Sequence, residues 1–505
     1  MTEELDIPAY TSDQEIALAA SICRDSFYHF FQEFWNVVVP DELQMAQAPN
    51  HIEYICNELQ KIGERVAQRL PRQHDLIINV PPGTSKSSIA TIMFPAWCWC
   101  IDPTIRFITA SYAGSLSLEH AVKSRTVVKS EKYKLYFPDI NLKQDQNNKS
   151  YFENSKQGSR IATSVGGTIT GKHAHIILID DPIDPEGAAS RAELEYTNKW
   201  MTETLPTRMV DKKVTTTVLV MQRLHEEDPT GTLLKSEPDR IKHICLPASL
   251  YDEDGRPDET LKNLVSPPEA IEIYHDGYLD NTRLDQEVLD YLRGKLGSYG
   301  YSGQMNQRPT PAKGIIWQRW FIPVPDYLFS SPHTLKVINQ ETGALEEVVI
   351  DLVGTDWDLA YTAKEANSAS AYITAGKYGN HMYIYDWGYD FLEFPGLVAY
   401  MKRKTFPHYI ERKASGKSAR QTLTDQGIPA IEVDVPGGGD KEARARLASV
   451  YAEGKLVYVR ESVLERLYTD DRQGILAFPK ASHDDVADAL AQAIDRVLGK
   501  GQYQW

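Results

Sequence analysis

The sequence is short of three things that would each have named a class of protein. It has no apolar run long enough to cross a bilayer as a helix, and its acidic start, Met1-Thr-Glu-Glu-Leu-Asp6, is unlike a signal peptide. A soluble, cytoplasmic protein is therefore expected, with no membrane partner. It has only five cysteines, Cys23, Cys56, Cys98, Cys100 and Cys245, odd in number and with no paired C-x-x-C arrangement. That excludes a disulfide scaffold and a structural zinc site, and points to a reduced intracellular chain. It also lacks an excess of positive charge: 54 Lys and Arg stand against 70 Asp and Glu, a formal net charge of −16. A generally basic nucleic-acid coat is excluded, so any DNA contact must be a local patch.

What is present is an ordinary globular composition, 42 % apolar, spread over 505 residues. That length exceeds what one hydrophobic core usually serves, and two domains are expected. Residues 1–70 read as mostly helical, with Phe27, Phe30, Phe31, Phe34 and Trp35 at helical spacing and a second helix over 51–70. An aromatic stripe of this kind is core more often than a base-stacking slot.

The chain is organised around 76–88. Leu76, Ile77, Ile78 and Val80 suit a buried parallel strand, Pro81, Pro82 and Gly83 stop it, and Ser87 and Ser88 are placed to cap a helix beginning near Ile89. Strand, tight loop and helix start make a phosphate-binding loop. The turn at Pro82, the backbone N–H groups of Gly83–Ser87 and the helix end would cradle ATP phosphates, with Gly83, Thr84 and Ser85 in the bend, Lys86 reaching the β/γ-phosphates and the Ser87 hydroxyl on Mg²⁺. Val80 and Ser85 occupy the two positions where such a loop usually has glycine, and Ser85 must either adopt a left-handed backbone or alter the loop.

A second stretch supports the first. His175 to Asp184 carries four apolar residues ending in Asp180 and Asp181, a buried strand delivering acids at its C-terminal edge, where parallel α/β sheets bind ligands. Asp180 would hold Mg²⁺ and Asp181 would act as the base orienting the attacking water. Strands near 105–110 and 214–219, with a helix near 116–129 between them, extend a doubly wound, mainly parallel sheet. The last strand leads to Gln222 and Arg223, candidates for sensing the γ-phosphate. A glycine-rich run, Ser164 to Gly171, permits a mobile loop facing the nucleotide, with a plain connecting loop as the default reading.

Pro-rich and acidic segments occupy 236–345, and a linker is expected over 301–345, with the domain boundary near residue 330. Beyond it, Asp356 lies in a strand over 351–358, two further strands follow at 371–376 and 382–387, and Glu411 ends a strand near 409. Asp485 and Asp488 sit one turn apart on a C-terminal helix, with His483 and Asp484 at its start. Acids from three separated elements suit two Mg²⁺ or Mn²⁺ ions about 4 Å apart, the arrangement that hydrolyses a phosphodiester. Arg412, Lys413, Lys417 and Arg420 beside Glu411, and Lys441, Arg444 and Arg446 after the glycines at 437–439, form the candidate DNA-phosphate patch.

Together, Pro81-Pro82 with Lys86-Ser87, the Val165-Gly-Gly-x-x-Thr-Gly171 run, Ile179-Asp-Asp-Pro182, and Gln222-Arg-x-His225 followed by Asp228 and Gly231 resemble the large terminase subunits of tailed bacteriophages. The resemblance spans roughly residues 25–495. It implies an N-terminal P-loop NTPase domain (71–300, with the helical segment 1–70) and a C-terminal ribonuclease H-like nuclease domain (346–505). In that family these motifs belong to a motor that packages double-stranded DNA using ATP and cuts concatemers with a metal-dependent endonuclease. Carried over by position, Asp356, Glu411 and Asp485 match the nuclease acids, with Asp484 and Asp488 also in view, and Lys172 stands where a trans-acting finger is found. Family membership further implies a portal protein, a small terminase subunit and a ring of five copies. It implies the host cytoplasm, transient docking at the procapsid portal and absence from the mature virion. A helicase-nuclease of DNA repair and a non-hydrolysing DNA-binding assembly protein are the alternatives.

Overall fold

The computed structural model describes residues 13–40, 49–309, 316–339, 343–360, 369–412, 414–433, 441–479 and 483–499. Contacts divide the chain into two units, Met1–Arg293 with Tyr299–Ala312, and Gly294–Ser298 with Lys313–Trp505.

The first unit is built on eight strands, β1 (Asp75–Asn79), β2 (Arg106–Ser111), β3 (Leu142–Asn147), β4 (Tyr151–Asn154), β5 (Ser159–Ser164), β6 (Ile176–Asp180), β7 (Thr216–Met221) and β8 (Ile241–Cys245). They lie in the order β3-β4-β5-β2-β6-β7-β1-β8. The six from β5 to β8 run parallel, and β3 and β4 add an antiparallel edge. The central strands are apolar on both faces because helices cover both, and their side chains divide between two cores. The aromatic stripe of the N-terminal helices is core: Phe27, Phe30, Phe31 and Phe34 are fully buried, Phe30 stacks on Phe34 at 4.4 Å, and Phe27 meets Trp97 at 5.3 Å. All five cysteines are buried thiols.

The second unit contains β9 (Ile322–Val324), β10 (Phe329–Ser331), β11 (Thr334–Ile338), β12 (Leu345–Val349), β13 (Asp351–Asp358), β14 (Ser370–Tyr378), β15 (His381–Asp390), β16 (His408–Glu411), β17 (Ala430–Val433) and β18 (Val457–Arg460). Seven of them form a mixed sheet in the order β17-β16-β13-β14-β15-β18-β9, and β10-β11-β12 form a small sheet of their own. The chain is thus α/β in both units. The helix Asp485–Leu498 packs its apolar face on the mixed sheet. The expected linker over 301–345 is not a linker. Tyr301 and Met305 are buried in the first unit, while Ile316, Trp317 and Phe321 join the core under the mixed sheet and β9 pairs with β18. The division falls near 312 rather than 330, because apolar anchors outweigh the proline content that suggested a connection. Among the described residues, no helix is long and apolar enough to cross a membrane.

Candidate functional site

The loop after β1 turns at Gly83, with φ +83, and Ser85, with φ +60. A left-handed backbone is uncommon outside glycine, so Ser85 takes the glycine conformation rather than altering the loop. The Thr84 hydroxyl donates to the Pro81 carbonyl at 2.7 Å and closes the bend. The helical turn then begins at Lys86, earlier than Ile89. Ser87 is already inside it (φ −70, ψ −36) and does not cap it. A Cβ added at Gly83 would meet nothing within 4 Å, so the loop has open space beside this residue.

Lys86 is buried and its Nζ donates to Asp181 Oδ1 at 2.8 Å. Asp181 follows β6 with φ +43, and the same oxygen accepts from the Gln222 backbone N–H at 3.2 Å. Burial raises the Asp181 pKa, Lys86 opposes this, and Asp180 adds to the rise, so the net direction is upward. Asp180 is fully buried at the end of β6. Its Oδ2 accepts from Thr91 Oγ1 at 2.8 Å and lies 3.3 Å from His120 Nδ1, while its Oδ1 has no hydrogen-bond partner. Burial disfavours the Asp180 charge, but His120, Lys86 and Thr91 outweigh it and hold its pKa below the usual carboxylate range.

Gln222 and Arg223 part company. The Gln222 side-chain oxygen is buried without a partner, while its backbone N–H meets Asp181. Arg223 turns away from the loop, contrary to the sensing role expected of it. Its Nε donates to Asp228 at 2.9 Å, and Asp228 also accepts from the Leu224 and Gly231 N–H groups. The backbone N–H of Arg223 is held by Gln307 at 3.0 Å. Arg223 therefore braces the turn after β7. Lys172 lies over the Tyr151 ring, 4.9 Å from its centroid.

The acids of the second unit sort themselves along one helix face. Asp485, Asp488, Gln492 and Arg496 recur at helical spacing on Asp485–Leu498, and Gln492 and Arg496 reach β13 and β16. Asp356, in mid-strand, is fully buried and held bidentately by Arg496 Nε and Nη2 at 2.8–3.0 Å, with Gln492 at 3.3 Å. Both its oxygens are engaged, so Asp356 is not available as the first metal ligand. Asp485 accepts from Gln473 Nε2 at 2.6 Å and the Ala369 N–H at 3.3 Å, and so ties down neighbouring backbone. Asp484 occupies the N-cap position without a side-chain cap bond. His483 does not cap either, and meets the Phe391 ring edge-on at 5.7 Å.

The residue missed in the sequence is Asp358. Strands β13 and β16 run parallel with Trp357 opposite Ile410, so the next residues, Asp358 and Glu411, stand side by side at the C-terminal ends. Across from them, Arg444 joins Asp488 at 3.0 Å to Glu411 at 3.4 Å, and Lys441 lies 2.6 Å from Asp484 and 2.8 Å from Asp488. Burial disfavours the Lys441 ammonium, but Asp488, Asp484 and Asp358 outweigh it and keep it charged well above the usual lysine range. Lys441 and Arg444 are thus turned onto acids instead of forming an outward DNA patch. Arg412 and Arg420 approach Glu432 at 3.5 and 3.4 Å, Lys417 is exposed, and Lys413 lies outside the described residues, as does the glycine run 437–439. Among the described residues, no group of three or more His, Cys, Asp or Glu side chains is disposed to hold a metal ion. The two-metal site expected from Asp356, Glu411 and Asp485 is therefore not formed by these side chains.

No protein-family model and no curated protein matches the chain. Among solved structures it is similar to the large terminase of the thermophilic bacteriophage D6E in complex with ADP, at 12 % identity over 87 % of this chain and 98 % of that one, with a TM-score of 0.46. The large terminase of bacteriophage HK97 gives 9 % identity, 88 % and 91 % coverage and a TM-score of 0.38. The large terminase nuclease of the thermophilic phage G20c with bound zinc covers 35 % of this chain and 95 % of its own, at 16 % identity and a TM-score of 0.24.

Proposed function

We propose that the chain is the large subunit of a viral DNA-packaging machine, whose first unit hydrolyses ATP to drive double-stranded DNA into a procapsid and whose second unit cuts concatemeric DNA. The observation that carries the reading is the Lys86–Asp181 ion pair, which bridges an open phosphate loop and the acid end of β6. A single buried lysine between a phosphate cradle and a carboxylate is placed to exchange one anion for another.

The residues fit a magnesium nucleotide. Asp180 Oδ1 is a buried oxygen without a partner, and the loop has space at Gly83. Ser87 and Asp180 would hold Mg²⁺, which supplies charge neutralisation at the β- and γ-phosphates. Phosphate oxygens would draw Lys86 away from Asp181. Relieved of that partner, and with its pKa already raised, Asp181 would orient a water and accept its proton. Gln222, whose backbone already touches Asp181, links this acid to the turn that Arg223, Asp228 and Gln307 keep rigid.

For the second unit the acids nearest to a cutting role are Asp358, Glu411 and Asp488, gathered at strand ends and the start of a helix. Glu411 and Asp488 are paired with Arg444, and Asp488 also with Lys441, so a divalent cation would have to displace these side chains to be held there. The reading brings with it the portal, the small terminase subunit, a ring of five copies and a cytoplasmic site of action at the portal. The non-hydrolysing alternative rests on Ser85; the left-handed conformation of that residue supports a loop of the usual shape, and the hydrolysis assay decides between the two readings.

The test is steady-state ATP hydrolysis by the full chain with Mg²⁺, with and without DNA. Lys86→Ala should lower the rate by about 100-fold or more, the cost of removing one preorganised charge-stabilising group. A rate unchanged by Lys86→Ala would refute the nucleotide site.

A further inference from the structure

The phosphate loop is tied on its outer side to a segment that no motif singled out. Asp280 is 1 % exposed and accepts from Arg283 Nε at 2.8 Å and from the N–H groups of Thr282 and Arg283 at 3.3 and 3.2 Å. A buried carboxylate with three donors fixes the guanidinium on which it sits. From there Arg283 Nη1 reaches the Ser85 hydroxyl at 3.2 Å, across 198 residues of sequence. One residue before Ser85, the Thr84 carbonyl stands 3.1 Å from His51 Nε2, and His51 Nδ1 stands 3.3 Å from the Leu279 carbonyl. The same short segment therefore holds the loop directly through Arg283 and packs against His51, whose neutral ring can donate to only one of the two carbonyls it faces.

We propose that Arg283, braced by Asp280, is a positioning residue that holds Ser85 in its left-handed conformation and so preorganises the loop for nucleotide phosphates. This rests on the phosphate-loop reading above. It accounts for the serine where a glycine is usual: a glycine reaches positive φ without help, whereas a side chain resists it and needs a partner. The Cβ makes Ser85 costly in this conformation, and the hydroxyl it carries is the handle by which Arg283 grips the residue. Nucleotide then binds a loop already shaped for it, and less ordering is left to be done on binding.

The experiment is a double-mutant cycle read as the dissociation constant of a fluorescent ADP analogue with Mg²⁺, on the full chain. Arg283→Ala should weaken binding about tenfold, the loss of a hydrogen bond from a charged donor. In a Ser85→Gly background the same substitution should have little further effect, because the residue being held is gone. Arg283→Lys, which keeps the charge but cannot serve Asp280 and Ser85 as a fork, should recover part of the affinity. In turnover, Arg283→Ala should raise KM for ATP more than it lowers kcat, since the loop binds ground and transition states alike. An Arg283→Ala effect of equal size in both backgrounds would mean that losing the partner of Asp280 merely loosens the fold, and would overturn the proposal. Lys86→Ala separates the two levels. Binding that disappears with Lys86→Ala but is untouched by Arg283→Ala refutes the positioning role alone, while binding indifferent to Lys86→Ala refutes the site itself.

Discussion

Each unit carries a pair of closely spaced aspartates at a central strand, and the two pairs have opposite fates. Asp180 and Asp181 are consecutive. The first ends β6 facing the helix beneath, and the second leaves the strand with φ +43 and meets Lys86. Asp356 and Asp358 are two apart and therefore on one face of β13. There the helix Asp485–Leu498 decides between them, because its later turns carry Gln492 and Arg496 against Asp356, and its first turn carries Asp488 near the strand end that holds Asp358. An acid two residues short of the strand end becomes half of a buried ion pair, and one at the end stays partly exposed. Depth along the strand, more than the residue type, sets what a carboxylate can do.

The sharpest way to break this comparison is Asp356→Ala. It leaves the Arg496 guanidinium buried without a counter-charge and should destabilise the second unit by about 3–5 kcal/mol, read by denaturant unfolding. If Asp356→Ala unfolds like the parent protein and loses only cleavage, Asp356 is a site residue after all and the distinction falls.

A smaller effect comes from pH. His408 is buried beside the same strand, its Nδ1 accepts from Trp357 Nε1 at 3.1 Å, and burial pushes its pKa down to about 4 from 6.5. The folded value lies below the unfolded one, so between these pH values the unfolded chain binds the extra proton. Stability contributed by neutral His408 is complete above pH 6.5 and is lost as pH falls toward 4, at most about 3 kcal/mol in total. His408→Gln, which keeps an acceptor for Trp357, should flatten the pH dependence of the second unit's melting temperature over that window. An unchanged profile would mean that His408 titrates normally.

The sequence made the frame of both units legible because its apolar runs are long and its turn residues strong: β1, β2, β6, β13 and the helix Asp485–Leu498 fall where periodicity puts them. It also made Lys86, Asp180 and Asp181 legible, since a loop between a strand and a helix admits few geometries. The interdomain boundary was not, because Trp317 and Phe321 look like linker aromatics until the core they fill is known. Nor were the partners of the acids. Arg496 against Asp356, Arg444 against Glu411 and Asp488, and Arg283 against Ser85 are separated by 140, 33, 44 and 198 residues, and no local pattern encodes such pairs. One signal was available. Arg496 and Gln492 share a helical face with Asp488, and a strand acid facing such a stripe must be neutralised at one end.

The smallest expected change in stability is the most informative about the second unit. Asp358 is partly exposed at the strand end, and its nearest strand neighbour in the parallel register is the acid Glu411. Replacing it by Asn keeps the shape, and the relieved repulsion from Glu411 offsets the lost attraction to Lys441, so Asp358→Asn should move unfolding by no more than about 0.5 kcal/mol. If the strand ends are where DNA is cut, the same substitution should nevertheless abolish nicking of a supercoiled plasmid by the full chain. The pairing of a silent melt with a lost cut cannot come from a structural acid, whose loss would register in both. A variant that still cuts would remove Asp358 and leave Glu411 and Asp488 to be tested in turn. A variant that cuts less and also melts early would place Asp358 with Asp356 among the acids that hold the sheet together, and the difference between mid-strand and strand end would no longer separate structure from function.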